Sequence, residues 1–306
     1  MSKATMRVYT SLLIPLDGSL CGEKAAQVGL SLAAQLDLQV RLLYVLDNDV
    51  QVEPGPAELV SALSLVREAA RTRGQGILDR AVELAHRLGV EVKTRLESGW
   101  PEEVILQQAK DCDLVVMGTH GRGGLERCIM GSVAQAVIAR SLKPVLVVNE
   151  RYNPPPSPEE NIFRRLLIAT DGSEWSSRAV QHGVRLASSL GAEVSLLHVV
   201  ELPHKLAGQK TVGLPEHELL GQGQAVLEEA LKLAAETGLA AQPILMQGHP
   251  VESILQASQQ HDLVVMGTRG RSGLDRLLLG SITERVARLS AKPVLVIPGG
   301  FTQGAS

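Results

Sequence analysis

The amino-acid sequence predicts an α/β protein made of two tandem copies of a doubly wound domain, each with a five-stranded parallel sheet. Two observations support this fold class. Stretches of the first half of the chain recur in the second half, and in each half short apolar runs alternate with segments of helical periodicity. Strands that alternate with helices need crossover connections, which produce a parallel sheet covered on both faces.

The internal repeat consists of two blocks. Leu12 onward realigns with Leu166 onward at an offset of 154 residues (166 minus 12), with about 16 of 35 positions identical. Asp113 onward realigns with Asp262 onward at an offset of 149 residues (262 minus 113), with about 21 of 36 positions identical. The second copy is therefore shorter by about five residues somewhere after Val45 and before Ser98, and such a length change belongs in a loop.

A proline-rich segment separates the copies, with the sequence Asn-Pro-Pro-Pro-Ser-Pro-Glu-Glu at residues 153–160. Proline lacks a backbone N–H and favours extended backbone, so this segment is predicted to be a semi-rigid exposed linker. We therefore predict domain 1 at residues 1–152, the linker at 153–161 and domain 2 at 162–306.

The elements of the first copy follow from its periodicity. Apolar runs predict five strands, at Val8–Leu16, Val40–Leu46, Val90–Leu96, Leu114–Met117 and Val145–Val148. Helices are predicted at residues 21–36 and 57–88, after Pro101, and at residues 132–140. Ser19 is a candidate N-cap, Gly74 and Gly76 are weak points in the second helix, and Gly89 ends that helix.

The second copy repeats this order, with strands predicted at Leu166–Ala169, Val194–Val200, Ala241–Met246, Leu263–Met266 and Val294–Ile297. The predicted strand order in each copy is 3-2-1-4-5, a Rossmann-like arrangement in which strand 1 lies beside strand 4. Asp17 and Gly118 then follow neighbouring strands at the topological switch point, where open α/β sheets bind ligands.

Each copy carries a glycine-rich loop between its fourth strand and the next helix. The pattern is Gly-x-x-Gly, nine residues, then Gly-Ser. Glycines allow backbone N–H groups to approach an anion, and the helix start adds free N–H donors and the positive end of the helix dipole. The spacing therefore predicts phosphate binding; the alternative is a tight turn with a capped helix. Four arginines, predicted either to contact phosphate or to be exposed solvated charges, lie in or beside the loops: Arg122, Arg127, Arg271 and Arg276.

Composition excludes several function classes. The formal net charge of -3 argues against a nucleic-acid binder that depends on bulk positive charge. No apolar run approaches the roughly 18 residues of a membrane span. Three cysteines without metal-ligand spacing fit a reducing cytoplasm better than a disulfide framework.

The glycine motifs, the Asp-Gly-Ser turn after strand 1, and Tyr44-Val45 or His198-Val199 at the end of strand 2 together resemble the universal stress protein family. The resemblance covers nearly the whole chain, twice, so the chain looks like a tandem member. Both copies keep the glycine signature of the family's nucleotide-binding members. The resemblance therefore implies ATP as the ligand, with Mg²⁺ or Mn²⁺ as an accompanying metal.

The resemblance also implies roles for individual residues. Asp17 and Asp171 would lie near the ribose, as acceptors for sugar hydroxyls or as metal contacts; helix capping is the alternative. Val45 and Val199 would meet adenine through backbone groups. The phosphates would be held by Gly118, Gly121, Gly131 and Ser132 in copy one, and by Gly267, Gly270, Gly280 and Ser281 in copy two.

The family resemblance implies a quaternary arrangement as well. Strand 5 of one copy would pair with strand 5 of the other about a pseudo-two-fold axis, so that one chain imitates a dimer. Further association into a homodimer of chains stays open. The copies differ at Pro15 against Ala169 and at His120 against Arg269, which leaves room for two sites of different affinity.

Three functional hypotheses remain at this point. The first is a stress-response binding module in which ATP occupancy controls affinity for an unknown protein partner. The second is a slow ATPase or autophosphorylating enzyme, although the sequence has no P-loop lysine motif and no protein-kinase signature set. The third is a dimerisation scaffold that needs no ligand. Efficient turnover is not expected, and no catalytic residue is assigned.

Overall fold

The computed structural model describes residues 8–47, 57–121, 130–155, 161–201, 215–268 and 279–299. The described chain divides into two compact units, domain 1 at Tyr9–Ile162 and domain 2 from Phe163 onward with Val8. Each unit alternates strands and helices, as an α/β fold requires. The predicted boundaries of the domains and linker, and the predicted pseudo-two-fold pairing of the fifth strands, stay predictions.

Domain 1 has a sheet of five parallel strands in the order β3-β2-β1-β4-β5. Its elements are β1 (Ser11–Leu16), α1 (Leu20–Leu36), β2 (Gln39–Asp47), α2 (Ala57–Arg87), β3 (Val92–Gly99), α3 (Pro101–Ala109), β4 (Leu114–Gly118), α4 (Ser132–Arg140) and β5 (Val145–Val148).

Domain 2 has the same strand order, β8-β7-β6-β9-β10, and its strands are also parallel. Its elements are β6 (Arg165–Ala169), α5 (Glu174–Leu190), β7 (Glu193–Val200), α6 (Glu216–Glu236), β8 (Ala241–Gln247), α7 (Pro250–Ser258), β9 (Leu263–Gly267), α8 (Ser281–Leu289) and β10 (Val294–Ile297). The predicted 3-2-1-4-5 order is therefore confirmed in both domains.

The core of each domain is mainly aliphatic. Its central strands are buried because helices cover both faces of the sheet. Gly29 of α1 lies against Ile14 of β1, and a Cβ atom built on Gly29 would be 2.7 Å from the Ile14 Cδ1 atom. Gly183 of α5 lies against Ile168 with the same 2.7 Å separation. Glycine thus allows each first helix to pack closely on its strand, which fixes the turn that follows the strand.

The turn between the first strand and first helix is also the same in both domains. Gly18 and Gly172 have φ values of +79° and +77°, in the region that favours glycine. Ser19 and Ser173 then cap their helices by accepting hydrogen bonds from the N–H groups of Gly22 and Ser176. The predicted capping role of Ser19 is therefore confirmed.

Some predicted boundaries were wrong. Strand β1 begins at Ser11 rather than Val8, because the Asp113 carboxylate accepts hydrogen bonds from the N–H groups of Thr10 and Ser11. Strand β3 runs from Val92 to Gly99 rather than from Val90 to Leu96. Several other strands are one residue longer at one or both ends than predicted, which is within the usual uncertainty of element ends.

Helix α2 continues through Gly74 and Gly76, the two positions predicted to weaken it. Gly74 is buried, and a Cβ atom there would lie 2.6 Å from the ring of Tyr44. Close contact with the sheet therefore requires this glycine and offsets its low helix propensity. Gly89 follows the helix end with a φ of +68°, as expected for a residue that stops a helix. No helix in the described ranges is long and apolar enough to cross a membrane.

Candidate functional site

The predicted site residues of domain 1 follow strands that end at the same edge of the sheet. Strands β1 and β4 are parallel neighbours, with Leu12 opposite Leu114 and Leu13 opposite Val115. Their carboxyl ends therefore bring the turn at Asp17 next to the loop that begins at Gly118. The Ser19 hydroxyl oxygen lies 3.2 Å from the His120 carbonyl oxygen, so the turn and the loop are in direct contact.

The Asp17 carboxylate holds the turn after β1, whereas its predicted contact with ribose or a metal stays a prediction. Its Oδ1 atom accepts hydrogen bonds from the Ser19 N–H (3.0 Å) and the Ser19 hydroxyl (2.7 Å), which stabilises the turn. A Cβ atom built on Gly121 would lie only 2.8 Å from the other oxygen, Oδ2. The glycine therefore allows the loop backbone to pass directly over the carboxylate, and a larger residue would push the two apart.

Asp171 holds the corresponding turn in domain 2. Its Oδ1 atom accepts hydrogen bonds from the Ser173 N–H (3.0 Å) and hydroxyl (2.6 Å). The Ser176 hydroxyl adds a second layer, because it accepts from the Asp171 N–H at 3.3 Å and lies 3.1 Å from the Thr170 hydroxyl. The carboxylate position is thus set by the backbone and by neighbouring hydroxyl groups.

Gly118, at the end of β4, lies against the first turn of α1. A Cβ atom on Gly118 would lie 2.7 Å from the Cβ atom of Cys21 and 2.8 Å from its carbonyl carbon. Since backbone atoms cannot move aside cheaply, this position requires glycine. Burial raises the pKa of the Cys21 thiol by more than its hydrogen bonds lower it. The thiol therefore stays protonated at neutral pH.

Both glycine loops close in the same way on the helix that follows. The Gly131 N–H donates to the Thr119 carbonyl at 2.9 Å, and the Gly280 N–H donates to the Thr268 carbonyl at 2.9 Å. Gly131 and Gly280 occupy the N-cap positions of α4 and α8, where no side chain caps the helix. The N–H groups of each first turn therefore have no side-chain capping partner, which is the arrangement that binds anions.

His120 is part of the glycine loop of domain 1. Its Nδ1 atom lies 2.9 Å from the Thr119 hydroxyl, and its Nε2 atom is buried with no hydrogen-bond partner within the described part of the chain. The equivalent residue of domain 2, Arg269, lies outside the described residues.

In domain 2, the predicted residues surround a cleft with a volume of about 400 Å³. All five predicted ATP contacts of this domain that the structure describes line it, namely Asp171, Val199, Gly267, Gly280 and Ser281. The cleft lies at the carboxyl edge of the sheet, as predicted from the strand order. Its volume is in the range of pockets that hold small molecules and cofactors.

Sequence reasoning missed the outer wall of this cleft. Helix α6 contributes Leu219, Gln222 and Gly223, and the start of α7 contributes Pro250 and Ile254. No motif marks these positions, because they belong to the wall only once α6 and α7 pack beside β7. His198 is part of a sequence motif that predicts no role for its side chain. The side chain is buried, and its Nδ1 atom lies 2.8 Å from the Thr170 carbonyl oxygen.

The remaining predicted residues are placed as follows. Val45 lies near the carboxyl end of β2, opposite Glu97 of β3, and Ser132 is the first residue of α4. Several predicted contacts lie outside the described residues: Gly270, Arg122, Arg127, Arg271 and Arg276. Within the described ranges, no group of three His, Cys, Asp or Glu residues is arranged to hold a metal ion.

A comparison with models of protein families shows which family this chain belongs to. The model of the universal stress protein family matches residues 9–149 and again residues 162–298. The chain belongs to the universal stress protein family. The predicted resemblance and tandem organisation are thereby confirmed, and each match contains one Asp-Gly-Ser turn and one glycine loop.

Curated relatives match the chain either over nearly its whole length or over about one domain. Universal stress protein Rv2005c of Mycobacterium tuberculosis is 28% identical over 303 residues, which cover 95% of this chain and 97% of the relative. Universal stress protein YxiE of Bacillus subtilis is 38% identical over 149 residues, which cover 44% of this chain and 99% of the relative. One domain of this tandem protein therefore corresponds to the whole of a shorter relative.

A solved universal stress protein from Archaeoglobus fulgidus has a TM-score of 0.71 with this chain at 19% identity, and the match covers 96% of this chain and 99% of that one. At this identity the likeness supports the Rossmann-like fold and nothing finer.

Proposed function

We propose that each domain of this universal stress protein binds one ATP, and that nucleotide occupancy controls the affinity of the protein for a partner in the stress response. The observation that carries the proposal is the cleft of domain 2. Five residues that the sequence selected for ATP line one cavity of about 400 Å³.

The phosphate end of the cleft is its polar part. Gly280, Ser281 and Thr283 present the start of α8, where the first N–H groups lack a side-chain cap. These donors and the positive end of the helix dipole favour the negative charge of a phosphate chain. Mg²⁺ or Mn²⁺ would be held here together with the phosphate oxygens.

Apolar side chains form another part of the cleft wall. Leu197, Val199, Leu219, Ile254 and Met266 line the cavity and offer surfaces that can enclose a planar base. Strand β7 ends in this region, so backbone groups near Val199 can form hydrogen bonds with the base edge. Asp171 also lines the cleft, and its carboxylate can accept hydrogen bonds from ribose hydroxyls.

Domain 1 supports the same proposal through its loop geometry. Asp17, Gly118, Gly121 and Gly131 are brought together at one edge of the sheet by the contacts described above. Because the same turn and the same uncapped helix start recur, a site of the same kind in domain 1 is the simplest consequence of the duplication.

Calorimetric titration with ATP and magnesium tests the proposal. The intact chain is expected to bind about two ATP molecules, and Asp171→Ala and Asp17→Ala are each expected to weaken one site. Asp111→Ala is the matched control, since Asp111 is an exposed carboxylate at the opposite end of β4. If ATP gives no heat of binding with the intact chain, the nucleotide assignment is wrong and a ligand-free scaffold is favoured.

Turnover is measured on the same samples by following ADP formation. The binding-module function predicts little ADP over the period in which the sites are saturated. Repeated turnovers that disappear in the double variant Asp17→Ala with Asp171→Ala would instead establish a slow ATPase.

A further inference from the structure

The long helices α2 and α6 occupy equivalent positions in their domains. Gly74 of α2 lies against Tyr44, and Gly223 of α6 lies against His198, where a Cβ atom would be 3.1 Å from the ring. The two glycines are 149 residues apart (223 minus 74), which is also the offset of the glycine loops. This offset aligns the end of α2 at Arg87 with the end of α6 at Glu236.

The aligned helices carry opposite charges along one face. Three consecutive charged positions of α2 have their signs inverted in α6: Arg80 aligns with Glu229, Glu83 with Lys232, and Arg87 with Glu236. Positions three and four residues apart on a helix are neighbours, so each set of three forms one charged row. All six side chains are exposed, and Lys232 forms an intrahelical ion pair with Glu229 at 3.3 Å.

The difference extends over the whole helices. Helix α2 has five arginines against four acidic residues, whereas α6 has one lysine against five glutamates. The formal net charge is therefore +1 for α2 (5 minus 4) and −4 for α6 (1 minus 5), so two equivalent helices carry charges of opposite sign.

The basic row lies beside a groove in domain 1. Arg80 and Arg87 line a groove of about 680 Å³ between α1 and α2. Its floor is apolar and includes Ile77, Leu84 and Leu20, the last of which is 57% exposed. Lys24 and Glu23 of α1 also line the groove, so its charged side chains have a net positive charge. A groove with an apolar floor and a net positive rim fits an amphipathic helix with an acidic row. Helix α6 has that character, with half-buried Val226 and Leu233 beside Glu229.

We propose that α2 of one copy of the chain binds α6 of a second copy through these complementary rows. Two copies related by a two-fold axis would form the contact twice, which closes the assembly as a dimer. Exposed ion pairs are individually weak and are screened by salt, so the dimer is expected to be concentration-dependent and to dissociate as the ionic strength rises.

Analytical ultracentrifugation of the full chain at low salt tests the proposal with charge reversals. Arg80→Glu with Arg87→Glu leaves both rows with a net negative charge, and Glu229→Arg with Glu236→Arg leaves both rows with a net positive charge. Each double variant is expected to weaken self-association by about tenfold or more, because attraction becomes repulsion. An equimolar mixture of the two variants is expected to associate again, since each then supplies what the other lacks.

Arg71→Glu with Arg73→Glu is the matched control. It changes the net charge by the same amount on the same helix, but these exposed arginines align with Leu220 and Gln222, which carry no charge. Circular dichroism of all variants verifies folding, and the restored association of the mixture cannot come from misfolded chains. A monomeric wild-type chain at low salt, a mixture that stays monomeric, or equal weakening by the control would each overturn the proposal.

Discussion

Domains 1 and 2 share a framework at the candidate site but differ in what surrounds it. The Asp-Gly-Ser turn, its hydrogen bonds and the uncapped helix start have nearly the same geometry in both domains. Around this framework, Tyr44 and Cys21 of domain 1 correspond to His198 and Trp175 of domain 2. The backbone geometry that can hold phosphate is thus common to both domains, whereas the side chains that set affinity differ.

The first turn of α5, the first helix of domain 2, illustrates the difference. Trp175 lies on α5 where domain 1 has Cys21, and the Arg178 guanidinium lies 5.5 Å from the centre of its ring. Arg178 also donates to the Gly299 carbonyl, and Lys24 of domain 1 donates to the equivalent Glu150 carbonyl. In both domains the first helix is anchored to the second residue after the last strand, and at this place domain 2 has an aromatic ring where domain 1 has Cys21.

The largest expected effect is on nucleotide binding at the helix starts. Gly280 has φ −63° and ψ 137°, a conformation that a following proline favours, and proline is well tolerated at the first helical position. Ser281→Pro should therefore keep α8 intact but remove one N–H donor, weakening ATP binding to domain 2 by about 10- to 100-fold. Calorimetric titration measures the change.

Ser281→Ala is the control for the lost hydroxyl, and Ser132→Pro makes the same change in domain 1, where Gly131 has φ −61° and ψ 142°. Equal affinity of Ser281→Pro and Ser281→Ala for ATP would show that this N–H group does not contact phosphate.

The packing of the first helices gives the next largest effect. Gly29→Ala and Gly183→Ala each place a Cβ atom 2.7 Å from an isoleucine Cδ1 atom in a tightly packed core. Each substitution should lower the free energy of unfolding of its own domain by about 1–3 kcal/mol. The chain has two tryptophans, Trp100 in domain 1 and Trp175 in domain 2. Denaturant unfolding followed by fluorescence in Trp175→Phe or Trp100→Phe backgrounds, which keep one tryptophan each, separates the domains.

A clearly unequal effect of these two substitutions would contradict the view that the framework is equivalent in both domains. A change at Gly76, where a Cβ atom meets nothing within 4 Å, serves as the control.

Much of this framework could be predicted from the sequence, because the residues that build it leave local signals. Apolar runs located the ten strands found in the described residues, the alternation of strands and helices predicted their order, and glycine spacing located the loops. The continuous path of α2 through Gly74 could not be predicted, since that glycine is explained by Tyr44, which is distant in sequence. The wall of the cleft formed by Leu219 and Ile254 was missed for the same reason: tertiary packing alone makes those residues neighbours.

Acid should affect domain 2 more than domain 1 at one buried position. Burial lowers the pKa of His182 to about 3, with a further contribution from Arg185, whereas domain 1 has Val28 at the aligned position. Because the unfolded chain binds a proton near pH 6.5 and the folded chain does not, stability is lost as the pH falls from about 6.5 toward 3. The loss from this group is about 1.4 kcal/mol at pH 5.5.

His182→Val should remove that part of the pH dependence, as measured by denaturant unfolding of domain 2 at pH 7.5 and pH 5.5. An unchanged difference between the two pH values in the variant would show that other groups are responsible.

The smallest expected effect concerns the start of β1. Burial raises the pKa of Asp113, but hydrogen bonds from Thr10 and Ser11 outweigh it, so that the pKa is lowered overall. The stability from this carboxylate is therefore present above its unfolded pKa near 4 and is lost as the pH falls through its lower folded value. Asp113→Asn should destabilise domain 1 by about 1 kcal/mol at pH 7 and flatten this acid dependence.

The matched substitution Asp262→Asn tests the corresponding carboxylate of domain 2, which accepts from the Arg164 and Arg165 N–H groups. Domain 1 unfolding that is insensitive to Asp113→Asn at pH 7 would argue against this role for the carboxylate.

Photolabelling with 2-azido-ATP tests most directly the central claim that the domain 2 cleft holds a nucleotide. After irradiation and digestion, mass spectrometry identifies the labelled peptides. The account predicts label on the peptide that contains Val199 or on the one that contains Leu219–Gly223, with the label removed by excess ATP and reduced by Ser281→Pro. Label confined to surfaces outside the cleft, or label that excess ATP does not remove, would contradict it.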